Sequence, residues 1–414
     1  MGEQAGMAIE AEIAVVGDGL AGLTAAVAFA LQGRETICFG HPDDRRTAIA
    51  GRQPGDRRTT ALFQASVRFL DHLGVWQKLA DGAAPLRALR MIDDTARLWR
   101  APEILFEAGE LGFDAFGYNV TNQVLGEALR ERAREVENLR LIATTGIERV
   151  QGEDAGAWLL SREGERFGAR LVIGADGRNS ICRRSAGLSA RSWDYGQTAI
   201  ACNFEHSRPH DDTSNEFHRE PGPLTTVPLS GNRSSLVWSE RPAEAERLMA
   251  LDDVTFAATL GERLHGILGG IGEVTPRAAF PIRGQYLTRL TGRRIALVGE
   301  AGHVLPPIGA QGLNLGLRDI AALFDAVADA SGPGGDPGAR TVLADYDRAR
   351  RLDVASRTFA VDILNRALIS GLAPASALRS AGLTALSISG PLRRFMMREG
   401  MQPSIGLPRL MRAG

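Results

Sequence analysis

Four segments carry residue types able to do chemistry, and the first is Gly17-Asp18-Gly19-Leu20-Ala21-Gly22. It follows an apolar run at 12–17 that reads as a buried strand. It precedes an Ala/Leu-rich stretch, 20–33, that reads as a helix ending at Gly33. Thr36-Ile37-Cys38-Phe39 then reads as a second strand. A Gly-x-Gly-x-x-Gly in a strand–turn–helix setting suits a dinucleotide pyrophosphate. Gly17 makes the turn, Gly19 lets the backbone approach the phosphates, and Gly22 lets the helix pack on the sheet. The helix start then offers free amides and a positive dipole end. The second segment is Asp56-Arg57-Arg58-Thr59-Thr60-Ala61-Leu62. The third, Gly174-Ala175-Asp176-Gly177-Arg178-Asn179-Ser180, closes an apolar run. The fourth runs Val298-Gly299-Glu300-Ala301-Gly302-His303, then Pro306-Pro307-Ile308-Gly309-Ala310-Gln311-Gly312-Leu313-Asn314.

One expected group is missing. A strand after such a turn usually ends in an acid that binds a ribose hydroxyl. Here it ends Cys38-Phe39-Gly40-His41, and the nearest acids are Asp43 and Asp44, beyond Pro42. His303, which follows a strand end, is a candidate general base; a plain loop cap is the alternative.

The elements that must position these groups follow from composition and periodicity. The chain has 414 residues, 44% hydrophobic and 23% charged, with a net charge of -1. That is a soluble globular composition of about two to three structural units. It gives no general attraction to nucleic acid or to anionic membranes. Three well-separated cysteines, Cys38, Cys182 and Cys202, exclude a zinc ribbon or a disulfide framework and fit a reducing compartment. Lys78 is the one lysine and has no Gly-rich run before it, which excludes a P-loop. The N-terminus has no basic n-region, and no apolar run is long enough to span a bilayer.

Periodicity predicts a helix over 60–73. A second is predicted over 119–137, with Asn119 and Thr121 as cap candidates. Strands are predicted over 139–175 and 196–240, two short helices over 243–265, a strand at 294–299, a helix over Leu313–Ala330, and a mostly helical end from Thr341. The fold class is α/β: a Rossmann-like dinucleotide-binding domain with an inserted antiparallel β-sheet substrate domain and a helical C-terminus. The dinucleotide domain is expected in three pieces (1–75, 111–190 and 284–340). The insert is expected at 76–110 and 191–283, and the helical region at 341–414. Only one Gly-x-Gly-x-x-Gly has the proper setting, so a second dinucleotide domain is not expected.

The four segments in this order resemble the FAD-dependent aromatic hydroxylases of the para-hydroxybenzoate hydroxylase superfamily. Within it the sequence is most similar to the UbiH/UbiF family of ubiquinone-biosynthesis hydroxylases, over nearly the whole chain. The resemblance implies FAD as cofactor and NAD(P)H, or a separate reductase, as electron source. It implies a monooxygenase that hydroxylates a phenolic, prenylated ring with O₂ through a flavin C4a-hydroperoxide. It places Gly17, Gly19 and Gly22 at the ADP pyrophosphate and Arg58 beside the flavin, at a helix entry. Gln123 would face the cofactor, Asp176 would touch it indirectly, and Glu300 would bond the ribitol. Gly312 and Asn314 would present backbone amides to the pyrimidine edge of the flavin. Glu300 replaces the family's aspartate, and Ala310 stands where the family often has glycine.

Two other classes share these features: an FAD enzyme of the same fold doing different redox work, such as a prenyl reductase, and a non-catalytic FAD-binding subunit of a quinone-biosynthesis complex. The Trp-x-Trp-x-Ile-Pro signature of a flavin halogenase is absent. The C-terminal stretch, with Leu372, Leu378, Leu383 and Leu392 and the run Arg393-Arg394-Phe395-Met396-Met397-Arg398, is either a core-facing cap or a peripheral face for membrane or partner subunits. On the second reading Phe395, Met396 and Met397 dip into lipid, and a cytoplasmic enzyme sits peripherally on the inner membrane.

Overall fold

The computed structural model describes residues 9–41, 58–95, 100–330, 335–369, 384, 386, 388–401 and 406–413. Asp43, Asp44, Arg57, Leu372, Leu378 and Leu383 lie outside the described residues. β1 (Ala11–Val16) leads through the glycine turn into α1 (Leu20–Leu31) and back to β2 (Thr36–Gly40). β1 pairs in parallel with β2 and with β11 (Arg166–Gly174). β8 (Leu139–Ala143) and β19 (Ile295–Leu297) extend this parallel core on either side. β9 (Ile147–Gly152), β10 (Ala157–Ser161) and β18 (Thr291–Gly292) complete an eight-stranded sheet. α1 is Ala-rich and apolar on all sides, so it lies buried from Gly22 to Ala30.

A second eight-stranded sheet has the order β16-β12-β15-β14-β13-β5-β6, with β17 also on β12. Its strands are β5 (Ala88–Asp93), β6 (Ile104–Glu107), β12 (Arg191–His206), β13 (Thr213–His218), β14 (Leu224–Leu229), β15 (Arg233–Glu240), β16 (Ile271–Val274) and β17 (Ala278–Tyr286). Side chains alternate along each strand. One set, including Ile200, Phe204, Phe217, Leu236 and Trp238, packs against Phe256, Leu248 and Leu260. Those partners come from two helices, α5 (Pro242–Ala250) and α6 (Asp253–Arg263). Trp238 is therefore core. Each such side chain contributes about 1.5–3 kcal/mol of burial.

A small sheet, β3 (Thr59–Phe63), β7 (Gly117–Thr121) and β4 (Ala84–Leu86), joins the two large ones. Here the helix expected over 60–73 needs correction. Thr59–Phe63 is a strand paired antiparallel with β7, and α2 spans only Gln64–His72. Arg58 consequently stands at a strand start, not a helix entry. Asn119 lies inside β7, while Thr121 caps α3 (Asn122–Glu135) by accepting from the Val124 amide at 3.3 Å. A short helix, α4 (Ile181–Ser185), follows β11.

The C-terminal part contributes three long helices among the described residues. α7 (Gln311–Ala330) packs on α1 and on α8 (Arg340–Ile369). α9 (Gly390–Met401) lies at the β5–β6 edge, where Met397 is buried among Ile104, Phe106 and Phe116. Arg393 holds Glu110 there at 2.7 Å. Met397 is thus core-facing and does not belong to any lipid face. All three cysteines are buried. No helix among the described residues is long and apolar enough to cross a membrane.

Candidate functional site

The glycine turn divides its labour as the motif demands. Gly17 has φ +109, and a Cβ on it would lie 2.5 Å from the Ala175 carbonyl oxygen. A Cβ on Gly22 would lie 1.8 Å from the Gly17 carbonyl oxygen. Both positions exclude a side chain because protein is already there. At Gly19 nothing lies within 4 Å. Gly19 is the N-cap of α1 and supplies no side-chain cap, so the first amides of that helix remain available. Open space in front of uncapped amides suits a pyrophosphate.

Asp176 sits across the turn from Gly17. Its Oδ2 accepts from the Ile181 and Cys182 amides at 2.7 and 3.1 Å, capping α4. Its Oδ1 is buried and has no hydrogen-bond partner among the described residues. Gln123 is exposed on α3 and donates to Glu127 at 2.9 Å. The Arg58 guanidinium stands 6.0 Å from the centroid of the Phe280 ring on β17.

Glu300 lies in a short turn, Gly299–Ala301, directly after β19. Its side chain is 59% exposed, with Arg178 3.9 Å away. What holds this turn is buried beneath it. Asp319 of α7 accepts from the Gly299 amide at 3.0 Å, from His303 Nε2 at 2.6 Å and from Arg350 Nε at 2.8 Å. Burial alone would push the Asp319 carboxyl up. The charges of His303 and Arg350 outweigh that and hold it below the usual carboxylate range. Asp353 is also buried. Arg350 and Arg318 overcome its desolvation and hold it at about 2. Burial brings Arg318 down to about 10. His303, a candidate base by sequence, is therefore an anchor: its side chain is 1% exposed and locked onto Asp319. Neither Asp319 nor Arg350 was legible as a site residue, because their partners lie far off in sequence.

The loop before α7 turns through two left-handed residues, Gly309 (φ +60) and Ala310 (φ +52). Such a conformation costs a non-glycine residue about 1–2 kcal/mol. Gly312, in the first turn of α7, is exposed, and a Cβ there would meet nothing within 4 Å. Asn314 is buried. Its side chain accepts from the Phe63 amide (3.0 Å) and Ser66 (2.7 Å), and donates to the Ala61 and Ala310 carbonyls (2.8 and 2.6 Å). It ties β3, α2 and the loop together, a side-chain role that the motif's backbone role did not announce.

Opposite these groups lies the face of the second sheet that α5 and α6 leave free. Register puts Met91, Thr225, Val227 and Val237 on it, and all four are partly exposed. Five contacts wall this floor. Thr59 donates to Ser235 at 2.8 Å and Asn119 to the Pro228 carbonyl at 2.9 Å, both from the small sheet. Arg58 and Phe280 close the β17 side, Met397 of α9 the β5 side, and Asn365 of α8 reaches Gln197 at 3.0 Å. On the other face of the sheet, the α5 side, a cleft of about 500 Å³ lies between α5 and β17, lined by Thr198, Pro242, Ala245, Glu246, Met249, Ala279 and Pro281.

A Rossmann-like half with one pyrophosphate turn, facing a sheet whose free side forms a half-buried floor, defines an FAD-dependent aromatic hydroxylase. The chain matches the FAD binding domain family over residues 10–360. It is 36% identical to "Ubiquinone hydroxylase UbiL" of Rhodospirillum rubrum over 94% of this chain and 89% of that one. It is 32% identical to "3-demethoxyubiquinol 3-hydroxylase" of Escherichia coli over 92% and 96%. The p-nitrophenol 4-monooxygenase PnpA of Pseudomonas putida shares the fold, with a TM-score of 0.74 at 18% identity over 95% of this chain and 99% of that one. The chain belongs to the FAD-binding family of aromatic hydroxylases, in its UbiH/UbiF-like branch, and its cofactor is FAD.

Proposed function

We propose that this enzyme hydroxylates the ring of a prenylated phenol on the route to ubiquinone, with O₂ as co-substrate and NAD(P)H as electron source. Bound FAD supplies the oxygen chemistry; the chain's residues bind, orient and exclude water. Gly17, Gly19 and Gly22 form the pyrophosphate turn. Glu300, projecting from a turn anchored by Asp319, suits the ribitol hydroxyls. The amides at Gly312 and Asn314, at the positive end of α7, suit the electron-rich edge of the flavin. Asp176 acts indirectly, by fixing the turn that follows β11. Arg58 and Gln123 stand at the rim of the cofactor space.

The observation that carries the phenol reading is the floor itself, where Met91, Val227 and Val237 surround Thr225 as a half-buried surface that suits an aromatic ring. The prenyl tail is supported by the relatives, which are named for ubiquinone-type substrates. A tail of that kind is nearly insoluble in water, so the enzyme must collect it from lipid. α9 offers a surface for this. Ile388, Leu392, Phe395 and Met396 are exposed on one stripe, opposite buried Met397, with Arg394 and Arg398 on a flank. That pattern fits the surface of an anionic bilayer.

The test is a series of phenols with tails of rising length, assayed with holoenzyme by NAD(P)H oxidation and product mass. Each added CH₂ that the enzyme buries is expected to strengthen binding by about 0.8 kcal/mol. Vesicle flotation with Phe395→Asp and Met396→Asp tests the surface. Flat kinetics across tail lengths, with flotation unchanged, would leave a hydroxylase of small phenols.

A further inference from the structure

The free face of the second sheet holds a polar cluster that no motif announced. Glu216 and His218 are two residues apart on β13, so their side chains share a face. His218 Nε2 lies 2.7 Å from Glu216 Oε1, and the two side chains are 1% and 8% exposed. His218 Nδ1 is buried with no hydrogen-bond partner among the described residues. Phe217, between them, points into the core under α5 and α6. Glu216 and His218 therefore belong to the opposite side, that of the floor. Register agrees: Glu216 pairs with Met91 on β5 and with Thr225 on β14. His218 pairs with Asp93, whose carboxylate is occupied by Thr95 and the Ala101 amide.

A carboxylate–imidazole pair inside a protein is costly to desolvate, and apolar residues of like volume often serve stability as well. No packing need explains one here, between Met91 on β5 and Thr225 on β14. Thr225 is the pair's outlet. It is partly exposed on the floor, has an apolar neighbour, Val227, two residues on, and stands directly across from Glu216. Directly opposed residues on one face are within interaction range.

We propose that Thr225 is the residue that receives the ring hydroxyl of the substrate, and that Glu216 and His218 are positioning residues that orient it. A carboxylate beside Thr225 favours turning the threonine proton toward Glu216. Thr225 Oγ1 is then left as acceptor for a substrate O–H. The subsite therefore selects a free phenol over its ether, because an ether has no proton to donate and leaves a polar floor group unpaired. No covalent step is involved. This selection rests on the phenol reading above.

The experiment uses FAD-loaded enzyme, a short-tailed 2-prenylphenol and its methyl ether. Binding is followed by perturbation of the flavin spectrum, and KM and kcat are measured separately. Wild type should prefer the phenol by about tenfold or more, the scale of one hydrogen bond to a polarised partner. Thr225→Val should reduce that preference to about twofold by weakening the phenol alone, and Thr225→Ser should restore it. Glu216→Gln should lower the preference while leaving ether binding and FAD affinity as in wild type. An unchanged phenol-to-ether ratio in Thr225→Val overturns the proposal, as does equal loss of both ligands in Thr225→Val and Glu216→Gln. If wild type binds neither compound, the phenol reading itself fails, and that result is distinct from either of the others.

Discussion

Replacing Gly19 with alanine should separate cofactor binding from folding, and Gly22→Ala should not. At Gly19 the backbone has φ -71 and ψ 179, open to any residue, and the new methyl would meet no protein atom within 4 Å. The folding cost is then only the poorer N-cap preference of alanine, about 0.5–1 kcal/mol. The methyl does occupy the space before the α1 amides. Pushing the pyrophosphate off one charged hydrogen bond costs about 1.5–3 kcal/mol. That corresponds to about 10- to 150-fold in FAD dissociation constant. At Gly22 the methyl would stand 1.8 Å from a backbone oxygen, so β1 or α1 must move. Overpacking of this kind costs about 1–3 kcal/mol or more, cofactor or none. The assay is flavin fluorescence titration of stripped protein, with urea unfolding of the same apoprotein. A wild-type FAD affinity in Gly19→Ala would refute the assignment of the turn. So would an apoprotein loss in Gly19→Ala as large as that in Gly22→Ala.

Three further outcomes are expected. Asp319→Asn takes from buried Arg350 one of its two carboxylates, Asp353 being the other, and weakens the anchor of His303, and should cost about 3 kcal/mol in urea unfolding. Because the folded Asp319 and Asp353 carboxyls are held low, their stabilisation is present above the unfolded range. It is lost as pH falls from about 4 toward 2, and Asp319→Asn should flatten that acid limb. Glu300→Ala should weaken FAD by about 1–3 kcal/mol in the fluorescence titration, Glu300→Asp much less, and neither should shift apoprotein melting, since the side chain is largely exposed. Ala310→Gly relieves a left-handed alanine and should raise stability by about 0.5–1 kcal/mol by calorimetry, after the entropy that glycine adds to the unfolded chain.

What was legible in the sequence is what depends on near neighbours. The glycine turn, α1 and the two helices α5 and α6 all follow from local spacing. β3 was read as helix because its apolar residues continue the pattern of α2, while its state is decided by pairing with β7, some sixty residues on. His303 looked available because its partner is carried by another helix. Met397 looked like part of a lipid face for the same reason: its cover comes from β6. Glu216 and His218 match no motif. Only the register of β13 against β5 and β14 shows which side of the sheet they occupy.

The three cysteines bear on how long such an enzyme survives its own chemistry. A flavoprotein that uses oxygen releases peroxide whenever reduction runs ahead of substrate, and peroxide attacks thiolates. Cys182 is completely buried, and desolvation pushes its thiol well up, reinforced by the nearby Asp176 carboxylate. Burial pushes Cys202 up to about 12. Cys38 lies 1% exposed inside the parallel core, its sulfur 3.7 Å from the Gly17 carbonyl. At neutral pH Cys182 and Cys202 offer essentially no thiolate, and none of the three offers a path for an oxidant to arrive. Protein inactivated by prolonged idle turnover should therefore keep its full thiol titre after denaturation, with the damage recorded instead on exposed Met396.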